Sequence, residues 1–245
     1  MKDLSKTKTK VGTDNSAAGK LPRSTHQDVQ RFLTKVATLP KTAGGARLIF
    51  ALDATASRQA TWDKASQLQG EMFAAANELG GLQVQLCYFR GFAEFYSSDW
   101  DLGPDALLKK MSGIRCEAGT TKLESLLRHA LSESKTSKAK CVVFIGDAME
   151  ESLDRLAQLS GELGLLNIPL FMFQERSDPI ARQAFIEMSR LSGGAYSQFD
   201  SGSAEQLKAL LKAVAIFAAG GLKALQKFSE NSPESVKLLT QQIRS

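Results

Sequence analysis

The sequence predicts a three-layer α/β fold, a doubly wound and mainly parallel six-stranded sheet with helices on both faces, and three observations carry that prediction. Strand-length apolar segments alternate with segments of helical periodicity over about 175 residues, the signature of a parallel sheet covered by its crossover helices. Several of the strand candidates are apolar throughout, as expected when both faces of a strand are covered. Two of them end abruptly in an aspartate, which places polar chemistry at the carboxyl ends of buried strands.

The first strand candidate is RLIFAL, beginning at Arg47 and leading to Asp53. Trp62, Ala65, Gln69, Met72, Phe73, Ala76 and Leu79 then form the stripe of a long helix that stops at Gly80-Gly81. LQVQLCYFR and AEFYSSDW read as two further strands joined by a tight turn at Gly91. A short helix follows near Pro104–Met111, then a loop through Gly119. Leu123, Leu126, Leu127, Ala130 and Leu131 mark the next helix, and CVVFIG is a buried strand leading to Asp147. EESLDRLAQLSGEL reads as a helix with acids in its first turn, where they favour the helix dipole. IPLFMF, PIARQAFIEMSRLSG, AYSQF and SAEQLKALLKAVAIFAAG complete the alternation as strand, helix, strand and helix.

Residues 45–220 therefore read as one domain. Residues 1–24 read as a disordered basic tail, 25–44 as a short helix and loop, and 221–245 as appended helical stretches interrupted at Pro233. The net charge is +5, but residues 1–24 hold six Lys/Arg against two Asp/Glu, leaving 25 basic and 24 acidic residues for the rest of the chain. A nearly neutral folded part argues against dedicated nucleic-acid binding. No apolar run approaches the roughly 18–20 residues that cross a bilayer, and the N-terminal residues lack a signal-type apolar segment. With Cys87 and Cys141 in apolar runs and Cys116 in a loop, no zinc spacing arises and a reducing, cytoplasmic setting is expected.

Asp53 is followed by Thr55 and Ser57 at alternate positions, and GTTKLESLL places Thr120 and Thr121 before another helix. In a doubly wound sheet the loops beyond the carboxyl ends of the strands converge where strand order reverses. Asp53, Thr55 and Ser57, Thr120 or Thr121, and Asp147 could then surround one point. Two carboxylates and several hydroxyls suit a hard divalent cation such as Mg2+, with Mn2+ or Ca2+ as alternatives, and give softer metals no special claim. The bland alternative is capping: Thr121 with Glu124 fits a capping box, and Asp147 could cap the helix after it.

These residues resemble the von Willebrand factor type A (VWA) domain and its metal-ion-dependent adhesion site (MIDAS). Asp53-Ala54-Thr55-Ala56-Ser57 matches the family's Asp-x-Ser-x-Ser with threonine at the middle hydroxyl. Thr121-Lys122-Leu123 matches the second-loop element better than Thr120 does, and Asp147 matches the last, although Ala148 stands where glycine is frequent. The resemblance covers roughly residues 45–220 and is nearer to bacterial single-domain members than to animal adhesion receptors. It implies a Rossmann-like fold and a metal-dependent protein-interaction module whose ion is completed by a partner's Asp or Glu. It also implies that binding can couple to movement of the last helix of the domain. A metal-dependent hydrolase or phosphatase, or a scaffold with a vestigial site, are the alternatives.

Enzymatic readings gain little from the remaining residues. Position 55 is Thr, where a haloacid-dehalogenase-type phosphatase needs a second Asp to donate a proton. No phosphate-binding loop, dinucleotide fingerprint or nucleophile elbow occurs. His26 and His129 lack motif partners, and His129 reads as a surface group. Arg90, Glu94, Trp100, Glu150 and Glu151 are expected near the rim of the site. Arg58 could attract an acidic partner, and Trp62 belongs to the core.

Overall fold

The computed structural model describes residues 45–77, 79–101, 103–200 and 203–243. The expectations for residues 1–24 and 25–44 fall outside the described residues. Six strands, β1 (Ala46–Asp53), β2 (Leu82–Arg90), β3 (Glu94–Asp101), β4 (Cys141–Gly146), β5 (Leu170–Glu175) and β6 (Ala195–Phe199), form one sheet in the order β3-β2-β1-β4-β5-β6. Every pairing is parallel except β2 with β3, which is antiparallel across the Gly91 turn. Gly91 has φ 58°, the left-handed region that glycine enters without steric cost.

The helices are α1 (Gln59–Asn77), α2 (Pro104–Ser112), α3 (Leu123–Thr136), α4 (Leu153–Leu165), α5 (Pro179–Ser192), α6 (Ala204–Ser229) and α7 (Glu234–Gln242). Strand alternation sends side chains into two cores. Leu48, Phe50 and Leu52 of β1 meet Trp62 and Met72 of α1, Leu210 and Val214 of α6, and Leu239 of α7 on one face. Ile49 and Ala51 meet Leu126 of α3, Leu159 of α4 and Phe185 of α5 on the other. Each buried aliphatic or aromatic side chain contributes about 1.5–3 kcal/mol, so these two layers hold the sheet rigid beneath its loops.

Strand order reverses between β1 and β4: the chain steps from β1 outward to β2 and β3, then returns across the sheet to β4. Gly146 closes β4 in contact with the neighbouring strand. A Cβ there would stand 2.4 Å from the Phe144 ring, so this end of β4 accommodates glycine, and the same point lies at ordinary contact distance, 3.6 Å, from Asp53 Cβ.

Three sequence expectations need correction. The stripe of α1 is buried as far as Ala76, but Leu79 lies beyond the helix end and is exposed. His129 is half-buried, with Nε2 2.8 Å from Gln85 Oε1 and its ring against Phe95, and burial lowers its pKa. Third, α6 is long and apolar enough to cross a membrane by length and composition alone. Its Leu207, Leu210, Leu211 and Val214 face the core, which accounts for much of that apolarity. Gly221 breaks the helical backbone inside α6 with φ 71°.

Candidate metal centre

Asp53 is the last residue of β1 and only 1% exposed. One carboxylate oxygen, Oδ1, accepts the Thr55 backbone N–H at 2.9 Å. The other, Oδ2, is buried without a hydrogen-bond partner among the described residues. Burial pushes the carboxyl up from its usual 3.8 to about 6, against smaller opposing effects of the Thr55 N–H and the Arg58 charge, while Asp147 adds slightly to the rise. An unpartnered buried carboxylate oxygen is costly, and proteins keep such groups where something outside the fold satisfies them.

Thr55 precedes a 3-10 turn at Ala56–Arg58 and its side chain caps nothing there. Ser57 lies in that turn, and its side-chain placement is not described.

Asp147 follows β4 and is 9% exposed. It does not cap α4, because that helix starts six residues later with Ser152 at its N-cap. Two arginines flank the carboxylate instead. Arg58 Nε lies 4.0 Å from Oδ1, and Arg176 Nη1 lies 3.5 Å from Oδ2. Arg176 follows β5 with φ 64°, an uncommon conformation for a side-chain-bearing residue.

Thr121 sits in the loop that precedes α3. Its hydroxyl accepts the Glu150 N–H at 3.2 Å, and its own N–H donates to the Glu150 carboxylate at 2.9 Å. The capping box with Glu124 does not form, since Lys122 is the N-cap of α3 and makes no side-chain cap. Glu151 caps α3 from the β4–α4 loop, accepting from Leu123 N–H at 2.6 Å and Glu124 N–H at 2.9 Å. The two acids expected to serve the first turn of their own helix therefore tie a neighbouring helix, and with it Thr121, to the loop carrying Asp147. Thr120 is exposed, with its N–H on Gly91 O at 3.3 Å. Gly119 makes that approach possible, because a Cβ there would stand 1.9 Å from the Gly91 carbonyl oxygen.

Arg58 overturns its sequence reading. It is 1% exposed and lies beneath the site, where Nη1 donates to Glu175 and Thr61 Oγ1 donates to the same carboxylate oxygen. Glu175, the last residue of β5, was missed because the apolar run ends earlier, at Phe173. At the rim, Arg90 bonds Glu94 at 2.7 Å and approaches Glu117 at 3.3 Å, whereas Trp100 donates to Glu133 at 3.1 Å on the antiparallel edge of the sheet. Trp62 is buried as expected.

Among the described residues, no group of three or more His, Cys, Asp and Glu side chains is placed to hold a metal ion. A cation at this edge would depend on hydroxyls together with the two aspartates. The orphaned Asp53 Oδ2 and an all-oxygen donor set fit a hard cation, while the arginines beside Asp147 oppose it by charge.

No protein-family model matches the chain, and none of the curated proteins is detectably similar to it. Solved structures are similar in fold. The VWA domain of SpRpn10 aligns with a TM-score of 0.52 at 11% identity, covering 66% of this chain and 95% of that one. An aerotolerance-related membrane protein from Bacteroides fragilis aligns with a TM-score of 0.52 at 15% identity, covering 69% of this chain and 98% of that one. Proximal thread matrix protein 1 from the mussel byssus, with a zinc-occupied MIDAS motif, aligns with a TM-score of 0.50 at 14% identity, covering 71% of this chain and 46% of that one. The order of strands and helices and these neighbours agree on a VWA-type fold.

Proposed function

We propose that the loops after β1 and β4 form a divalent-cation site of the MIDAS type, and that the protein is a metal-dependent protein-interaction module rather than an enzyme. Asp53, Thr55, Ser57, Thr121 and Asp147 would hold the ion, Mg2+ being the first choice among hard cations. When bound, the ion supplies an electrophilic point for an Asp or Glu carboxylate of a protein partner. The cytoplasmic setting read from the cysteines belongs to the same proposal.

The observation that carries the reading is Asp53 Oδ2, a buried carboxylate oxygen without a hydrogen-bond partner at the strand switch point. The neighbour with a zinc-occupied MIDAS motif supports divalent-metal binding on this fold in general. The chain's own residues have defined parts in the proposal. Asp53 and Asp147 bring negative charge from adjacent strands, Thr121 is fixed by its paired bonds to Glu150, and Gly119 lets its loop approach the β2–β3 turn.

Thermal unfolding with and without Mg2+ tests the reading. Ligand that binds only the folded state raises its stability by RT ln(1 + [L]/Kd), about 2.7 kcal/mol at a hundredfold excess over Kd. The melting temperature of the wild type should rise with Mg2+, and Asp53→Ala should abolish the rise. An equal rise in both proteins would place the cation elsewhere, and no rise in the wild type would leave a scaffold without a working site.

A further inference from the structure

Arg58 is the feature that the cation reading does not absorb. An exposed arginine at a rim needs no explanation, but this one is fully buried, and Nε and Nη2 of its guanidinium have no hydrogen-bond partner among the described residues. Its remaining nitrogen, Nη1, is held by Glu175, which Thr61 also engages. That anchor fixes the orientation of the group. One side of the guanidinium is bonded to the end of β5, and Nε looks toward Asp147 Oδ1 at 4.0 Å. Its charge also reaches Asp53, where it favours the ionised carboxylate. Burying a charge in this way is expensive unless opposite charges surround it. Here three carboxylates from three strand ends act on it: Asp53 ending β1, Asp147 just after β4 and Glu175 ending β5.

Resting on the cation reading above, we propose that Arg58 is a resident counter-cation of the site, positioned by Glu175 and Thr61, which holds Asp53 and Asp147 together without metal and sets how much Mg2+ is needed to bind. The physical basis is Coulombic. Two buried carboxylates on adjacent strand ends repel each other, as the small upward push of Asp147 on Asp53 shows, and a fixed positive charge beside them relieves the repulsion. The same charge repels an arriving dication, so it weakens binding. Glu175 moderates both effects by neutralising the far side of the guanidinium. A low-affinity site that stays folded without its ion is the consequence, and it would respond to cation or partner rather than remain permanently loaded. Arg58 and Glu175 are positioning residues in this account, since neither is assigned to the metal.

Two variants separate this role from plain structural support, because they should move cation affinity in opposite directions. Removing both charges in Arg58→Met/Glu175→Gln leaves neither partner buried alone. Mg2+ binding measured by titration calorimetry should tighten by about tenfold or more, because the repulsion is gone. Glu175→Gln alone leaves the guanidinium facing the two aspartates without its anchor, and Mg2+ binding should weaken by about tenfold. This single, isosteric variant also stands as the test if the double variant does not fold. Arg58→Lys would keep the charge and should not reproduce the tightening seen when both charges are removed.

Equal Mg2+ affinity in the wild type and both variants would overturn the proposal while leaving the cation site intact. A double variant that binds more weakly would overturn it as well, since Arg58 would then be supporting the site rather than opposing its ion. Absence of binding in the wild type and both variants would remove the cation reading and this inference together. Binding gained only in the double variant would uphold the inference and show that the native site is kept closed by its own arginine.

Discussion

The ends of β1 and β4 are adjacent in the sheet and each delivers an aspartate to the same edge, yet the two are treated in opposite ways. Asp147 has a cation on each oxygen, Arg58 at 4.0 Å and Arg176 at 3.5 Å. Asp53 is more deeply buried, carries one orphaned oxygen, and is pushed up to about 6 by burial. The chain places a cation against both oxygens of Asp147 and leaves one oxygen of Asp53 without a bonded partner. A cation arriving at this edge would therefore do most for Asp53 and would have to contend with resident charge at Asp147.

The buried support beneath the two aspartates is the most sensitive point. Arg58→Ala strands Glu175 in the core with only the Thr61 hydroxyl beside it. Removing one partner of a buried pair typically costs about 3–5 kcal/mol, and denaturant unfolding should register a loss of that order. A loss below about 1 kcal/mol would mean that the pair is hydrated and does not hold the edge together.

Asp53 gives the protein a pH dependence of its own. A carboxyl raised from 3.8 to about 6 on folding makes the native state bind more protons than the unfolded state between those values. Metal-free stability should therefore fall as pH rises from about 4 to about 6 and level off above, with a total contribution of about 3 kcal/mol. Asp53→Asn should remove most of that slope and make the metal-free protein more stable at pH 7. Unfolding curves in chelator across this pH range provide the check, and a slope unchanged by the substitution would show that Asp53 is not its source.

Smaller effects sharpen the geometry. Gly119→Ala would drive a Cβ against the Gly91 carbonyl and push the Thr121 loop away from the β2–β3 turn. Overpacking of this kind costs about 1–3 kcal/mol, and Mg2+ affinity should drop with stability if the Thr121 loop belongs to the site. Glu151→Ala removes the cap that reaches two backbone N–H groups of α3. The expected loss is about 1 kcal/mol, visible as a small drop in melting temperature.

Much of the fold was legible because strands buried on both faces are written as unbroken apolar runs, such as RLIFAL and CVVFIG, between helices of clear period. The aspartates were legible for the same reason, as abrupt polar ends to those runs. What sequence reasoning could not supply was long-range pairing. Arg58 and Glu175 lie 117 positions apart, and nothing local says that a basic residue at a helix start will turn inward to meet the end of β5. The true end of β5 was itself hidden, because Gln174 and Glu175 are buried polar residues that look like the start of a loop. Glu150 and Glu151 carried a readable signal, acids before a helix, but the N–H groups they satisfy belong to α3 and its preceding loop rather than to α4. The inward turn of His129 likewise depends on Gln85 and Phe95 of neighbouring strands, which helical spacing does not report.

If one hard cation binds between the exits of β1 and β4, Mn2+ as a spectroscopic stand-in for Mg2+ will report it. Electron paramagnetic resonance should find one bound Mn2+ per wild-type chain, displaced by Mg2+, and none in either Asp53→Ala or Asp147→Ala. Retention of the bound signal in both variants would contradict the account.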